Sequence, residues 1–368
     1  MNAVAAQAPV LVMAGGTGGH VYPALAVAEE LSRREVPVVW LGTRKGLEAR
    51  VVPAAGYPVE WIEVSGLRGK GVIKLLLAPL MLAHALYQAW RVMRRVRPRA
   101  VLGMGGFVTG PGGVMAWLDR RPLIIHEQNS VAGLTNRLLA PLAARVLVAF
   151  PASFGAKRSV HQVGNPVREA IANLPLPETR FAARSEEPVH LLVLGGSLGA
   201  AALNRTVPAA TAAMAAQTRP LIRHQAGSRD IEGARRAYAE AGVEAEVQPF
   251  IEDMGRAYAW ADLVICRAGA LTVAELAAAG VGAILVPYPH AVDDHQTGNA
   301  RHLSEAGAGV LVQQAELSAE RLQTLLEELL NDRQRLLGMA RAARGLARPD
   351  AARAVADSCL ELAAGRAA

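Results

Sequence analysis

Cysteine is nearly absent from this chain. Cys266 and Cys359 are far apart and in no ligand spacing, which excludes a disulfide framework and a cysteine-based zinc site and fits a reducing compartment. Aromatic residues are scarce at 4% and charged ones modest at 19%, against 52% apolar residues; this is the balance of a compact globular protein, not of a disordered or fibrous one. A clean run of about twenty apolar residues is also missing. Val72 to Trp90 comes nearest, but Lys74, Pro79, His84 and Gln88 interrupt it, so no membrane span is expected. The opening MNAVAAQAPVLVMAGG has no basic segment ahead of its apolar residues, so no signal peptide is expected and the chain reads as cytoplasmic.

With 368 residues, the chain is long for one core, and two domains are the natural division. Lys and Arg exceed Asp and Glu by 39 to 32, and the resulting +7 suits anionic partners such as phosphates or an acidic lipid surface. APVLVMAGG is a short apolar run closed by glycines, followed by HVYPALAVAEELSRR with apolar residues at helical spacing. VPVVWLGT, PVEWIEV, AVLGMGG, PLIIHEQ and ARVLVAF continue that alternation, which predicts a mostly parallel sheet with crossover helices. A second series begins at VHLLVLGGSLGA and runs through PLIRHQAG, AEVQPF, ADLVICRAG and AILVPYP. LVMAGGTGG and LVLGGSLGA share a strand followed by a Gly-Gly-hydroxyl turn, which predicts two similar α/β halves. The break is expected at Gly164-Asn165-Pro166, giving domains 1–166 and 167–348, with the helical stretch 349–368 crossing back onto the first.

The glycine turn Met13 to His20 is not a dinucleotide fingerprint. Counted from Gly16, the third glycine position falls on Val21, and the second strand ends in Gly42-Thr43 where an acidic residue would be needed. What remains is a turn whose amides point outward at a helix N-terminus, suited to an anion. GMGGFVTGPGG adds a second such loop, and Gly15, Gly16, Gly105 and Gly106 together are placed to grip a diphosphate. His20 sits where a helix begins; read alone it is either a neutral base or a cap that hydrogen-bonds phosphate. IIHEQNSVAGLTNR puts His126, Glu127, Gln128 and Asn129 at a strand end, with Glu127 a general base or the residue that orients one, and Asn129 either recognising an amide or hydroxyl or, like Ser130, capping a helix.

In the second half, CRAGALTVAELAAAG brings a strand end, a glycine turn and a helix start together. Amides near Ala270 to Thr272 would meet a leaving diphosphate, and Glu275 either binds a ribose or complements the helix dipole. PYPHAVDDHQTGNA adds Asp293, Asp294, His295, Gln296 and Asn299 as candidate sugar contacts on a loop. Asp293-Asp294 is not D-x-D, and no D-x-D occurs in the chain, so no metal and no cofactor are expected; helix amides and an arginine would take the cation's place. Finally, Ile73, Leu76, Leu77 and Leu80 beside Arg68, Lys70 and Lys74 make either a core helix or a patch that docks on an anionic bilayer.

Taken in order, GGTGGHVYPALA, HEQNSVAGLTNR, GNPVR, LGGSLGA, CRAGALTVAE and DDHQTGNA resemble the motifs of the MurG family of bacterial N-acetylglucosaminyltransferases over nearly the whole chain. The resemblance implies an α/β fold of the GT-B kind, two Rossmann-like doubly wound domains facing across a cleft. It implies an inverting, metal-independent transfer of N-acetylglucosamine from UDP-N-acetylglucosamine to the C4 hydroxyl of undecaprenyl-diphospho-N-acetylmuramoyl-pentapeptide, at the cytoplasmic face of the membrane. His20, or else Glu127, would be the base. Donor contacts would come from Thr17, Gly18, Gly19, Asn129, Arg168, Ser197, Ile251, Ala270, Leu271, Thr272, Val273, Ala274, Glu275 and Gln296. Cell-wall and division machinery are possible partners; nucleic acid is not expected. The rival readings are another lipid-directed glycosyltransferase or a UDP-sugar epimerase on the same architecture, and a basic membrane- or nucleic-acid-binding protein without catalysis.

Overall fold

The computed structural model describes residues 7–64, 77–155, 159–196 and 199–365. The chain divides into two compact units, Met1–Arg168 with Arg348–Ala368, and Glu169–Ala347. Ser197 and, of the apolar-basic patch, Arg68, Lys70, Ile73, Lys74 and Leu76 lie outside the described residues.

The first unit is built on seven parallel strands: β1 (Val10–Met13), β2 (Val38–Gly42), β3 (Val59–Trp61), β4 (Ala100–Gly103), β5 (Leu123–Glu127), β6 (Arg145–Val148) and β7 (His161–Gln162), in the order β3-β2-β1-β4-β5-β6-β7. Val10 of β1 pairs with Val38 on one side and Ala100 on the other. All four residues of β1 are buried, because helices cover both faces of a parallel sheet and leave no polar alternation. The pleat sends Val10 and Val12 into one core with Trp40, Leu102 and Ile124, and Leu11 and Met13 into the other with Leu41, Val101 and Ile125. Helix Ala351–Ala364 returns to this sheet from beyond the second unit and packs on helix Gly18–Arg33 and on β4, with Val355, Ala356 and Cys359 fully buried in the first core.

The second unit has six parallel strands: β8 (His190–Leu194), β9 (Leu221–Gln225), β10 (Glu246–Gln248), β11 (Leu263–Cys266), β12 (Gly282–Leu285) and β13 (Gly309–Leu311), in the order β10-β9-β8-β11-β12-β13. β8 carries Leu191 and Val193 into a core shared with Leu263, Ile265 and Ile284.

The direction of chain progression reverses between β1 and β4 in the first sheet, and between β8 and β11 in the second. Loops leaving the carboxyl ends of such a strand pair diverge and open a crevice, the usual ligand position in this class of sheet. The four glycine-bearing loops, after β1, β4, β8 and β11, all stand at those two points.

Candidate active site

In the first unit, Met13 leads through Ala14, Gly15 and Gly16 into helix Gly18–Arg33, capped by Thr17 in an extended conformation. The β4 loop lies directly against this turn. Gly105 and Gly106 take φ of +103° and +86°, and a β-carbon on Gly106 would overlap the carbonyl oxygen of Gly15. A β-carbon on Gly105 would stand 2.6 Å from Nδ1 of His20, so both glycines are required by close approach. The loop is anchored by the Thr109 hydroxyl, which donates to the carbonyl of Gly105 at 2.9 Å, and by Met104 N–H, which donates to Met13 O at 2.8 Å.

Glu48, fully buried, was not singled out in the sequence. Its Oε2 accepts the Gly16 N–H at 2.9 Å, and its Oε1 accepts the Thr43 N–H and hydroxyl at 3.0 and 2.8 Å. This corrects one expectation: the Gly16 amide is already spent on a carboxylate and is not a donor for a ligand diphosphate. The donors left by helix geometry at this turn are the first-turn amides, among them Gly18 and Gly19. No local pattern announces Glu48, because it acts on backbone brought near by the fold.

His20, half-buried in the first turn of its helix, places Nδ1 3.1 Å from Oε1 of Gln128, whose Nε2 donates to Met104 O at 2.8 Å. Gln128 belongs to the polar cluster after β5, but its sequence position suggested no role. The neighbouring Glu127 is only 2% exposed. Its Oε1 accepts from the N–H and the side-chain amide of Asn129 at 3.0 and 3.2 Å; its Oε2 accepts from Gly133 N–H and the Asn136 amide at 3.0 and 2.8 Å. Four donors therefore converge on this carboxylate, which orders the loop carrying Asn129. His126 is buried behind it, with Nε2 donating to Gly164 O at 2.8 Å; burial lowers its pKa from 6.5 to about 4 and keeps the ring neutral. Arg168 lays its guanidinium over the Tyr22 ring, 5.2 Å from the centroid.

In the second unit, the turn after β8 is pinned by the Gly195 N–H donating to Gln225 O at 3.0 Å. Gln225 also uses its side-chain Oε1 to accept the Ile251 N–H at 3.0 Å, so a backbone contact from Ile251 to a ligand is left to its carbonyl. After β11, Gly269 caps helix Ala270–Ala279, and Asn299 steadies the turn by donating to Ala268 O at 3.1 Å. Helix geometry gives the first-turn amides of Leu271 and Thr272 no partner four residues back within the helix. Leu271, Thr272 and Ala274 are half-buried, whereas the Val273 side chain is 2% exposed and belongs to the interior. Glu275 is 4% exposed and receives the Tyr258 hydroxyl at 3.3 Å. Gln296 accepts the Tyr288 N–H on its Oε1 at 2.9 Å, which leaves its NH2 group as the donor for a hydroxyl. Among the described residues, no group of three or more His, Cys, Asp or Glu is arranged to hold a metal ion.

Two Rossmann-like units, each with glycine-lined helix N-termini at its topological switch point, suit phosphate-bearing ligands, and the family and structure matches place them in the GT-B class of glycosyltransferases. The glycosyltransferase family 28 N-terminal domain matches residues 10–148 and the corresponding C-terminal domain matches residues 190–355. The relative from Alkalilimnicola ehrlichii, a UDP-N-acetylglucosamine--N-acetylmuramyl-(pentapeptide) pyrophosphoryl-undecaprenol N-acetylglucosamine transferase, is 64% identical over 96% of this chain and 98% of its own. The protein of the same name from Nitrosococcus oceani is 58% identical over 97% and 99%. The crystal structure of Acinetobacter baumannii MurG superposes with a TM-score of 0.82 at 43% identity, covering 96% of this chain and 99% of that one. The glycosyltransferase of kitacinnamycin, at TM-score 0.71 and 19% identity, shares the fold. The chain belongs to the MurG family.

Proposed function

We propose that this chain is the inverting transferase that moves N-acetylglucosamine from UDP-N-acetylglucosamine to the C4 hydroxyl of the muramoyl sugar in undecaprenyl-diphospho-N-acetylmuramoyl-pentapeptide, converting lipid I to lipid II. Family membership supports the donor, the acceptor and the bond formed. The single structural observation that supports a role for His20 is its pairing with Gln128 at the β1–β4 switch point, set against a Glu127 carboxylate already holding four donors. His20 takes the proton of the C4 hydroxyl as that oxygen attacks C1 of the donor. The C1–O bond to the diphosphate breaks, and UDP leaves with the negative charge. Glu127 holds Asn129 in place to meet the sugar.

The first-turn amides of helix Ala270–Ala279 take up the charge on the leaving diphosphate, with Arg168 as the cationic side chain, so no metal is required. Thr17, Gly18 and Gly19 line the donor sugar, Ile251 the uracil, and Glu275 and Gln296 the ribose and sugar hydroxyls, with Ser197 a further donor contact. Gly15, Gly105 and Gly106 shape the floor beneath the acceptor diphosphate. Leu77 and Leu80, 46% and 70% exposed, continue the apolar-basic segment before them, and this face rests on the anionic cytoplasmic surface of the membrane.

The test is transfer to a short-chain lipid I analogue, with and without chelator. Transfer is expected with chelator present, and His20→Ala is expected to lose about a hundredfold or more in kcat with donor affinity retained. Absence of transfer by the wild type would overturn the function, and near-normal turnover by His20→Ala would overturn the assignment of the base.

A further inference from the structure

We infer that Gln128 is a positioning residue that fixes which nitrogen of His20 carries the proton, an inference that rests on the reading of His20 as the base. The Met104 carbonyl is an acceptor only, so the Gln128 amide must turn its NH2 toward it at 2.8 Å. That leaves Oε1, also an acceptor only, 3.1 Å from Nδ1 of His20. Nδ1 therefore carries the ring proton, and Nε2 keeps its lone pair for the acceptor hydroxyl. Without such a partner, a neutral imidazole divides its proton between both nitrogens, and only one of the two forms accepts at Nε2.

The amide is itself held on every side. Gln128 is 1% exposed, and its backbone carbonyl accepts from Asn165 Nδ2 at 3.0 Å. Met104 is tied to Met13 at 2.8 Å, so the carbonyl that orients the amide is anchored to β1, the strand that launches the His20 helix. Gly105 clears the space, since a β-carbon there would stand 2.6 Å from Nδ1. One hydrogen-bonded relay thus links the ends of three strands to a single ring nitrogen.

An amide orients the ring without adding charge. The ionisable groups on the surrounding elements are His126 and Glu127 on β5, Glu48 beneath Gly16, and Arg168 stacked on Tyr22 of the same helix. His126 is kept neutral by burial, and the two carboxylates are occupied by N–H and O–H donors. A carboxylate at position 128 would be a new charge beside the ring.

The experiment is nitrogen NMR of the full chain labelled with 15N-histidine, joined to kinetics. Wild-type His20, when neutral, is expected to show a protonated Nδ1 and an unprotonated Nε2. Gln128→Leu is expected to mix the tautomers and lower kcat about ten- to a hundredfold, with KM for UDP-N-acetylglucosamine within about twofold. Gln128→Glu keeps an acceptor at Nδ1 but sets its second oxygen against the Met104 carbonyl in place of the NH2 donor, so it should retain the Nδ1-protonated ring, recover kcat only in part relative to Gln128→Leu, and move the acid limb of kcat/KM to higher pH. A wild-type ring protonated at Nε2 overturns the inference without any variant having to fold, and so does Gln128→Leu with an unchanged tautomer and full kcat. Near-normal turnover by His20→Ala would instead overturn the reading of His20 as base, while the wild-type spectrum still decides the tautomer.

Discussion

A residue's influence on this site depends on what it holds as much as on what it presents. Glu48 contributes no surface, yet it joins the turn after β1 to the turn after β2 through three hydrogen bonds, at Gly16 and at the backbone and hydroxyl of Thr43. Glu48→Gln keeps the shape but turns an NH2 group toward one of those donors. A buried donor facing a donor forfeits its bond and its hydration, so a stability loss of about 1–3 kcal/mol is expected. Chemical denaturation is the check: a midpoint equal to the wild type's would show that the carboxylate is dispensable. Gly106 marks the opposite constraint, since its positive φ and the Gly15 carbonyl beside it leave no room for a side chain. Buried Cys266 and Cys359, their thiols pushed up to about 12 by burial, are core filling and not chemistry.

At the level of the element, most strands were legible in the sequence, the half-buried β3 and the partly exposed β10 included. β1, β4, β11 and β12 are continuous apolar runs, while β5 and β8 are apolar runs with His126-Glu127 at the end of one and His190 at the start of the other, and each reads as a strand because both of its faces are covered. β7 (His161–Gln162) did not read, being two exposed polar residues recruited by backbone pairing to β6, and neither did the short, half-buried β13. The site divided the same way. His20, Glu127 and Asn129 stood out as polar residues at strand ends, whereas the service of Gln128 and Glu48 exists only once separate loops meet. Helix Ala78–Val96 carries a prediction of its own. It exposes Leu80, Leu82, Tyr87 and Trp90 while burying Ala85, Ala89, Val92 and Met93, and no described helix is long and apolar enough to cross a membrane. An exposed apolar face adjoining basic residues suits a bilayer surface. The double variant Leu77→Glu, Leu80→Glu should no longer sediment with anionic vesicles, with its circular dichroism unchanged. Undiminished sedimentation would place the docking surface elsewhere.

For the whole molecule, each unit encloses one histidine that must stay neutral: His126 in the first and His224 in the second, both lowered by burial from 6.5 to about 4. In the unfolded chain these rings bind protons at higher pH than in the folded one. Stability is therefore complete above about pH 6.5 and declines as the pH falls toward 4, by on the order of 3 kcal/mol for each ring. Urea midpoints taken stepwise from pH 7 to pH 5 should fall for both units. A midpoint that stays level over that range would mean that one or both rings gain compensating partners when protonated.

The return of helix Ala351–Ala364 to the first sheet makes the second unit an insertion within the first. A ribosome delivers the chain in order, so all of the second unit emerges before the helix that completes the first core. The seat for Val355 and Cys359 on the first sheet stays uncovered throughout that interval, and a nascent chain stalled before Ala351 should present a protease-resistant second unit beside a labile first one. The order of maturation thus runs against the order of synthesis: the half that is started first is finished last.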